Sequence, residues 1–290
     1  MANDFVTAGQ VSRLAVGLLT RSLVLPMTVL RNSSGDFAGD NGDSVTIRVP
    51  VPGAARTQAS AGASITYDDI TEVPVTLSLS HLYHATKIAD EQLSLELVDF
   101  GQQVTQIQTA AVATGAEDEL AGAMNGIASD DEFALTASED DTESVILGAR
   151  QTLSEANVPS GDRFFAVSPD IATRVLSVPK FVRVNESGDD SALREAIIGR
   201  LYGFTFVESN GLTPGTAVAY HRTGFAMANR IPVPPRGAGD SASASSGGIG
   251  LRQIFQYDPN VLSDASVVST FAGAAVVDTD RVVKLTTATS

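Results

Sequence analysis

Three histidines, three lysines and a series of aspartate doublets are the residues from which this 290-residue chain could build chemistry, and it has no cysteine. His81 and His84 stand three apart in a stretch whose apolar pattern has a period of two. That spacing sends them to opposite faces of a strand, so a shared metal is not expected, and His221 stands alone. Asp36, Asp40 and Asp43 in "RNSSGDFAGDNGDS" would suit calcium, but the spacing is not that of an EF-hand loop, and Asn, Asp and Gly are ordinary turn formers. The doublets Asp68-Asp69, Asp130-Asp131 and Asp140-Asp141 could serve as acid/base pairs, yet adjacent strand residues point apart and such doublets read as solvated surface. No G-x-S-x-G, phosphate loop, H-E-x-x-H or dinucleotide fingerprint occurs. An acid-dependent hydrolase would need a constellation of acid, base and nucleophile that the sequence does not supply. The expectation is no enzyme, no cofactor and no metal site.

The elements that would position any site are easier to read. Residues 5 to 25 place Val11, Leu14, Leu18 and Leu19 on one side with arginines between, an amphipathic helix stopped by Pro26. From Ser44 the period becomes two. Val45, Ile47, Val49 and Val51 alternate with Thr46, Arg48 and Pro50, and Val73, Val75, Leu77 and Leu79 alternate with Pro74, Thr76 and Ser78. The small, polar stretch between them makes the whole a long two-stranded ribbon with a flexible tip. An isolated hairpin is marginal in water, so its apolar face needs cover, from its own chain or from a neighbouring copy.

After the ribbon, "IADEQLSLELVD" predicts a short helix with Asp90 as N-cap, and Asp99 with Gln102 resembles a capping box. A long alanine-rich helix over 100–125 would extend about 39 Å. Its expected buried face is Val104, Ile107, Ala111, Ala121 and Met124. The second half predicts helices near 143–155, 169–176 and 192–197, with strands at "RFFAVS", "GFTFVES", "TAVAYH", "LRQIFQY", "ASVVSTFAGAAVV" and "DRVVKL". Gly199 should end a helix, Asn210-Gly211 should form a turn, and "RGAGDSASASSGGIG" (236–250) reads as a mobile loop. The irregular alternation indicates an α+β fold.

Composition narrows the class. With 43% hydrophobic residues the chain can bury a substantial core. Net charge is −15; residues 32–160 hold 4 basic against 21 acidic residues, whereas 161–290 hold 12 of each. Such an acidic surface disfavours a nucleic-acid-binding module. The opening "MANDFVTAGQ" lacks the basic start and apolar run of a signal peptide, and no segment reaches the length of a membrane span. A soluble, cytosolic chain is expected.

Taken in order, "GDSVTIRVPVPG", "VPVTLSLSHLYHATKIADEQLSLELVDFGQQV", "FFAVSPDIATRVL", "IIGRLYGFTFVESNGL", "GFAMANR" and "GLRQIFQYDPNVLSDASVVSTFAGAAVVDTDRVVKL" resemble the major capsid protein of tailed bacteriophages, the Hong Kong 97-type fold. The resemblance implies an N-terminal arm (1–43), an extended β-hairpin loop (44–86), a peripheral domain with a spine helix (87–140), an axial domain (141–235), and a mobile loop with return strands to the peripheral domain (236–290). It implies many copies forming pentamers and hexamers that close into an icosahedral shell around double-stranded DNA, without sequence-specific binding or membrane attachment. The virion capsid would be assembled in the bacterial cytoplasm, with separate scaffold, portal and cement proteins as candidate partners. Intersubunit contacts would fall on Val11, Leu14, Leu18, Arg48, Arg56, Val73, Val75, Leu77 and Leu79. Some members crosslink through a lysine on the extended loop; here Lys87, Lys180 and Lys284 all lie outside the ribbon tip, so no such bond is expected. Nor is a cleaved scaffolding segment expected before the arm. Within the same fold, a bacterial encapsulin-like compartment shell is the alternative.

Overall fold

The computed structural model describes residues 24–32, 44–51, 53, 55–91, 104–128, 134–135, 139–177, 199–235, 237, 240–246 and 249–287. Two mixed sheets, one helix wedged between them and one projecting ribbon make up the architecture. The first sheet has the order β1 (Leu30–Asn32), β10 (Phe225–Arg230), β13 (Ser263–Val276), β12 (Ile249–Asp258), β11 (Asp240–Ser246), with β4 (Ser80–Ala89) also paired to β13. The second runs β5 (Ala134–Leu135), β14 (Val282–Thr287), β9 (Thr216–His221), β6 (Arg163–Val167), β8 (Phe204–Glu208), β7 (Arg200–Leu201). The ribbon is β2 (Ser44–Pro50) against β3 (Glu72–Ser78).

The second sheet is covered on both faces, which is why β9 reads as the uninterrupted run Thr-Ala-Val-Ala-Tyr-His and is buried throughout. On one face Phe165, Val167, Ala217 and Ala219 pack under α2 (Glu139–Glu155) and α3 (Pro169–Ser177). On the other, Ala166, Val218 and Tyr220 meet α1 (Gln106–Asn125) and the buried Leu25 and Val29. The turn between β7 and β8 is Tyr202-Gly203, both at positive φ (49° and 89°), the two-residue type I′ geometry that suits a hairpin. Arg163 anchors the end of α2. Its guanidinium donates to the carbonyls of Pro159 (2.8 Å) and Val158 (2.5 Å) and to Ser154 Oγ (3.1 Å), satisfying acceptors left open beyond the helix.

Helix α1 joins the two sheets. Val112 and Ala113 pack on Ile249, Leu251 and Val268 of the first sheet, while Ala116, Leu120, Ala121 and Met124 reach both. Its buried face is therefore Gln108, Thr109, Val112, Ala113, Ala116, Leu120, Ala121 and Met124. This corrects the expected stripe: Ile107 and Ala111 face solvent. The error has a physical cause, since the first buried turn is polar. Gln108 Nε2 donates to the Ser266 carbonyl (2.9 Å) and Ser266 Oγ to Gln108 Oε1 (2.8 Å), a pairing that apolar periodicity cannot reveal.

Three further expectations change. Residues 236–250 are not one loop: "DSASASS" is β11, paired along its length with β12, and Ile249 and Gly250 are buried strand residues. Of the return strands expected over 236–290, β12 and β13 lie in the first sheet with β10, whereas β14 pairs with β9 in the second. The arm cannot include all of residues 1–43, because residues 25–32 are built into the body. There Leu25 is fully buried, Thr28 Oγ1 shares a hydrogen bond with Tyr220, and β1 pairs in parallel with β10. The expected helices over 5–25 and 192–197 and the capping box at Asp99 lie outside the described residues. At Asp90 the chain has just left β4, which runs to Ala89.

Candidate functional site

The ribbon is where this chain departs from a closed body. At its root the alternation inferred from sequence is real, with Val45 opposite Leu77, Ile47 opposite Val75 and Val49 opposite Val73. Leu77 is 1% exposed, packed on Ala226 and Ala228 of β10, with Ile47, Leu79, Ala275 and Val277 around it. Gly273 of β13 makes the contact possible, since a Cβ there would collide with the Ser78 carbonyl. The chain therefore covers the root of its own ribbon, with Leu77 in the protomer's interior and Leu79 half-buried beside it. Of the expected intersubunit residues, Leu77 has no surface left to offer a second copy.

Outward from the root this cover ends. Val75 is half-buried and Val73 is 53% exposed. The ladder continues to the Val51 N–H, which donates to the Thr71 carbonyl (3.0 Å). Beyond it two limbs of about ten residues each, long enough for roughly 30 Å, run to a turn closed by the Ala63 N–H on the Ser60 carbonyl (3.1 Å). Ion pairs hold the ribbon's two sides together. Arg48 Nη1 lies 3.6 Å from Glu72 Oε2, and Arg56 donates in bidentate fashion to Asp68, at 2.9 Å from Nε and 2.5 Å from Nη2. Both arginines thus have partners on the ribbon itself. At the tip Gln58 Nε2 donates to the Ala63 carbonyl (2.8 Å).

Sequence reasoning missed what else the limbs carry. Ile65 (59%), Tyr67 (85%) and Ile70 (89%) stand in solvent beside Val73. These are large apolar side chains on a slender projection, and nothing among the described residues covers them. The available signal was the Ile-Tyr-Ile set in "SITYDDI", hidden in a stretch that otherwise reads as small and polar. Val11, Leu14 and Leu18 lie outside the described residues.

A second feature ties the arm root and the crossings between the two sheets to the body. Glu117 on α1 accepts from Ser209 Oγ (2.8 Å), and the Leu25 N–H also bonds to it. Burial pushes its carboxyl above the usual glutamate range, with neighbouring Asp118 adding to the effect. Where the chain passes from one sheet to the other, Arg281 donates to Asp278 Oδ2 (2.8 Å) and to Thr223 Oγ1 (2.5 Å), and His221 Nδ1 shares a hydrogen bond with Thr223 (2.8 Å). Burial, with nearby Arg281, holds His221 below its ordinary pKa.

The residues considered for chemistry are not gathered. His81 lies against Phe271 with ring centroids 4.5 Å apart and tilted, His84 takes the other side of β4, and among the described residues no three potential ligands converge on a metal position. Lys284 donates to the carbonyls of Asn125 (2.7 Å) and Ile127 (3.1 Å), and Lys87 lies 3.9 Å from Asp258. No described helix is long and apolar enough to cross a membrane.

No protein-family model and no curated protein sequence matches the chain. Solved structures match over nearly its whole length. A chain from Mycobacterium phage Che8 is 22% identical, with 98% of this chain and 93% of that one aligned at a TM-score of 0.65. The capsid structure of cyanophage P-SCSP1u is 15% identical over 100% and 91% of the two chains, also at 0.65. A virus-like particle from Pyrococcus furiosus is 12% identical over 95% and 97%, at 0.58. What is shared at such identities is the fold, here a mixed helix-and-strand fold found in phage capsid structures.

Proposed function

We propose that this chain is the major capsid protein of a tailed bacteriophage, of the Hong Kong 97 type, with a structural and non-catalytic role. Many copies would assemble as pentamers and hexamers into an icosahedral virion shell around double-stranded DNA. One observation carries the reading: on a fold shared with phage capsids, the ribbon projects a set of bare apolar side chains that the protomer itself leaves uncovered. A shell subunit needs a surface completed by its siblings. In this reading α1 is the spine helix, the first sheet with β4 the peripheral unit and the second sheet the axial unit. Assembly in the bacterial cytoplasm, with separate scaffold, portal and cement proteins, is compatible with it. The acidic surface suits a container wall that should not adhere to its genome.

The likeness to the Pyrococcus furiosus virus-like particle favours a second reading, an encapsulin-like compartment shell. Expressing the chain and imaging the product by electron microscopy tests both. Closed particles of uniform diameter are expected, and a product that stays monomeric at high concentration would exclude both. Particles purified from phage-producing cells should contain double-stranded DNA; protein cargo in its place would select the compartment.

A further inference from the structure

The two edges of the ribbon are not equivalent. Arg48 stands opposite Pro74 and Pro50 opposite Glu72, and proline has no N–H, so these are not the bonded pairs of the ladder. The Val51-to-Thr71 bond agrees, placing the odd-numbered residues of β2 in the bonded pairs. Ser44, Thr46 and Arg48 therefore turn their N–H and C=O groups away from β3. On the opposite edge Pro74 interrupts the row of donors, a usual device against unwanted pairing. One edge of the ribbon is closed and the other, along β2, is open.

The body carries a matching edge. Among the described residues β11 is bonded on one side only, to β12. The Gly250 N–H is taken by Asn229 Oδ1 at 2.6 Å, so the Ser245–Gly250 pair is a non-bonded one, and Ser241, Ser243 and Ser245 present their backbone groups outward. Edge strands are ordinarily blunted by proline, lysine, a bulge or shortness. β11 is seven residues long and has none of these, whereas β1, β5 and β7 have three residues or fewer and β4 carries Lys87. Its run of Ser and Ala leaves room for a bulkier neighbour. β2, also seven residues long, supplies the bulkier Thr46, Ile47 and Val49.

We infer that β2 of one copy adds as an extra strand to the β11 edge of a second copy, so that the ribbon extends its neighbour's first sheet. The inference rests on the shell-forming reading and names the receptor for the ribbon's open edge. Thr46 and Ser243 are the central members of the two outward-facing rows, so they meet in either strand direction, at a spacing a disulfide can bridge.

Because the chain has no cysteine, the test is direct. Particles of the Thr46→Cys/Ser243→Cys variant, mildly oxidised and run on a non-reducing denaturing gel, should give a ladder of covalent multimers. Thr76→Cys/Ser243→Cys, with the cysteine on the closed edge, should give none. Ser243→Pro removes an outward N–H and should raise the assembly threshold about tenfold, with an unchanged circular dichroism spectrum. Particles without a ladder from the Thr46 pair overturn the inference alone, as does dimer formation by Thr46→Cys without Ser243→Cys, which would mean that two ribbons pair with each other. If the unsubstituted chain forms no particles, the shell reading falls and the inference with it.

Discussion

Replacing Ile70 with aspartate separates what the ribbon does for its own chain from what it does for others. Ile70 is 89% exposed, and Ile65 and Val73 are 59% and 53% exposed. Together they amount to about two fully exposed aliphatic side chains, so covering them on a neighbour would contribute about 3–6 kcal/mol per ribbon at about 1.5–3 kcal/mol each. Ile70→Asp forfeits about 1.5–3 kcal/mol of that and adds the cost of desolvating a carboxylate. With about 1.4 kcal/mol per factor of ten, the concentration needed for assembly should rise on the order of ten- to a hundredfold. Unfolding of the unassembled subunit should change by no more than about 0.5 kcal/mol, because the side chain touches little in its own protomer. The assay is sedimentation across a concentration series, with denaturant unfolding of unassembled subunits alongside. An unchanged threshold in a variant of unchanged stability would refute the claim that these side chains are covered by other copies.

Leu77→Ala should behave in the opposite way, costing about 2–4 kcal/mol of subunit stability in denaturant unfolding, since Leu77 fills the root cluster against Ala226 and Ala228. Gly273→Ala should displace the ribbon root, because the new methyl group meets the Ser78 backbone; a loss of about 1–3 kcal/mol is expected in the same assay. Glu117 titrates high in the folded subunit, so the native state binds more protons there than the unfolded chain, and its ionisation works against stability at neutral pH. Glu117→Gln should therefore gain stability at pH 7 relative to the parent and lose that advantage as pH falls through the raised folded value towards the ordinary glutamate value. His221 titrates low, so the unfolded chain binds the extra proton and this contribution to stability is lost as pH falls below the ordinary value of 6.5. His221→Gln should flatten that part of the acid unfolding profile, as followed by thermal melts at stepped pH.

Periodicity made some of this fold legible and left the rest hidden for identifiable reasons. The ribbon was readable because β2 and β3 alternate cleanly, and β9 because a doubly covered strand is apolar on both faces. β11 was not, since Ser and Ala have little strand propensity and the strand is held by its pairing with β12. The buried side of α1 was misread because Gln108 and Thr109 are buried as hydrogen-bonding side chains against β13. At the site, sequence gave the apolar alternation of both ribbon strands, but not which half its own chain covers. That division depends on the close approach of Ser78 to Gly273, a contact between residues far apart in sequence.

That division also bears on how a protruding strand pair could transmit position from one copy to the next. The strands on either side of the root, β10 and β13, each continue through a short turn to a strand of the second sheet, and Arg281 and Thr223 tie the two turns together. α1 packs on both sheets and, through Glu117 and Asn125, also holds Leu25 and the turn at residues 211–213. The ribbon is therefore fixed at one end to the part of the molecule where sheets, helix and arm root converge, whereas beyond the Val51–Thr71 bond its limbs are joined by the exposed Arg56–Asp68 pair. Surface pairs such as Arg48–Glu72 contribute about 0–1 kcal/mol each, too little to set the limbs' direction against a neighbour's surface. In the proposed shell, a firmly held root with limbs tied only to each other would let one sequence meet neighbours at slightly different angles, the geometric demand placed on chemically identical subunits.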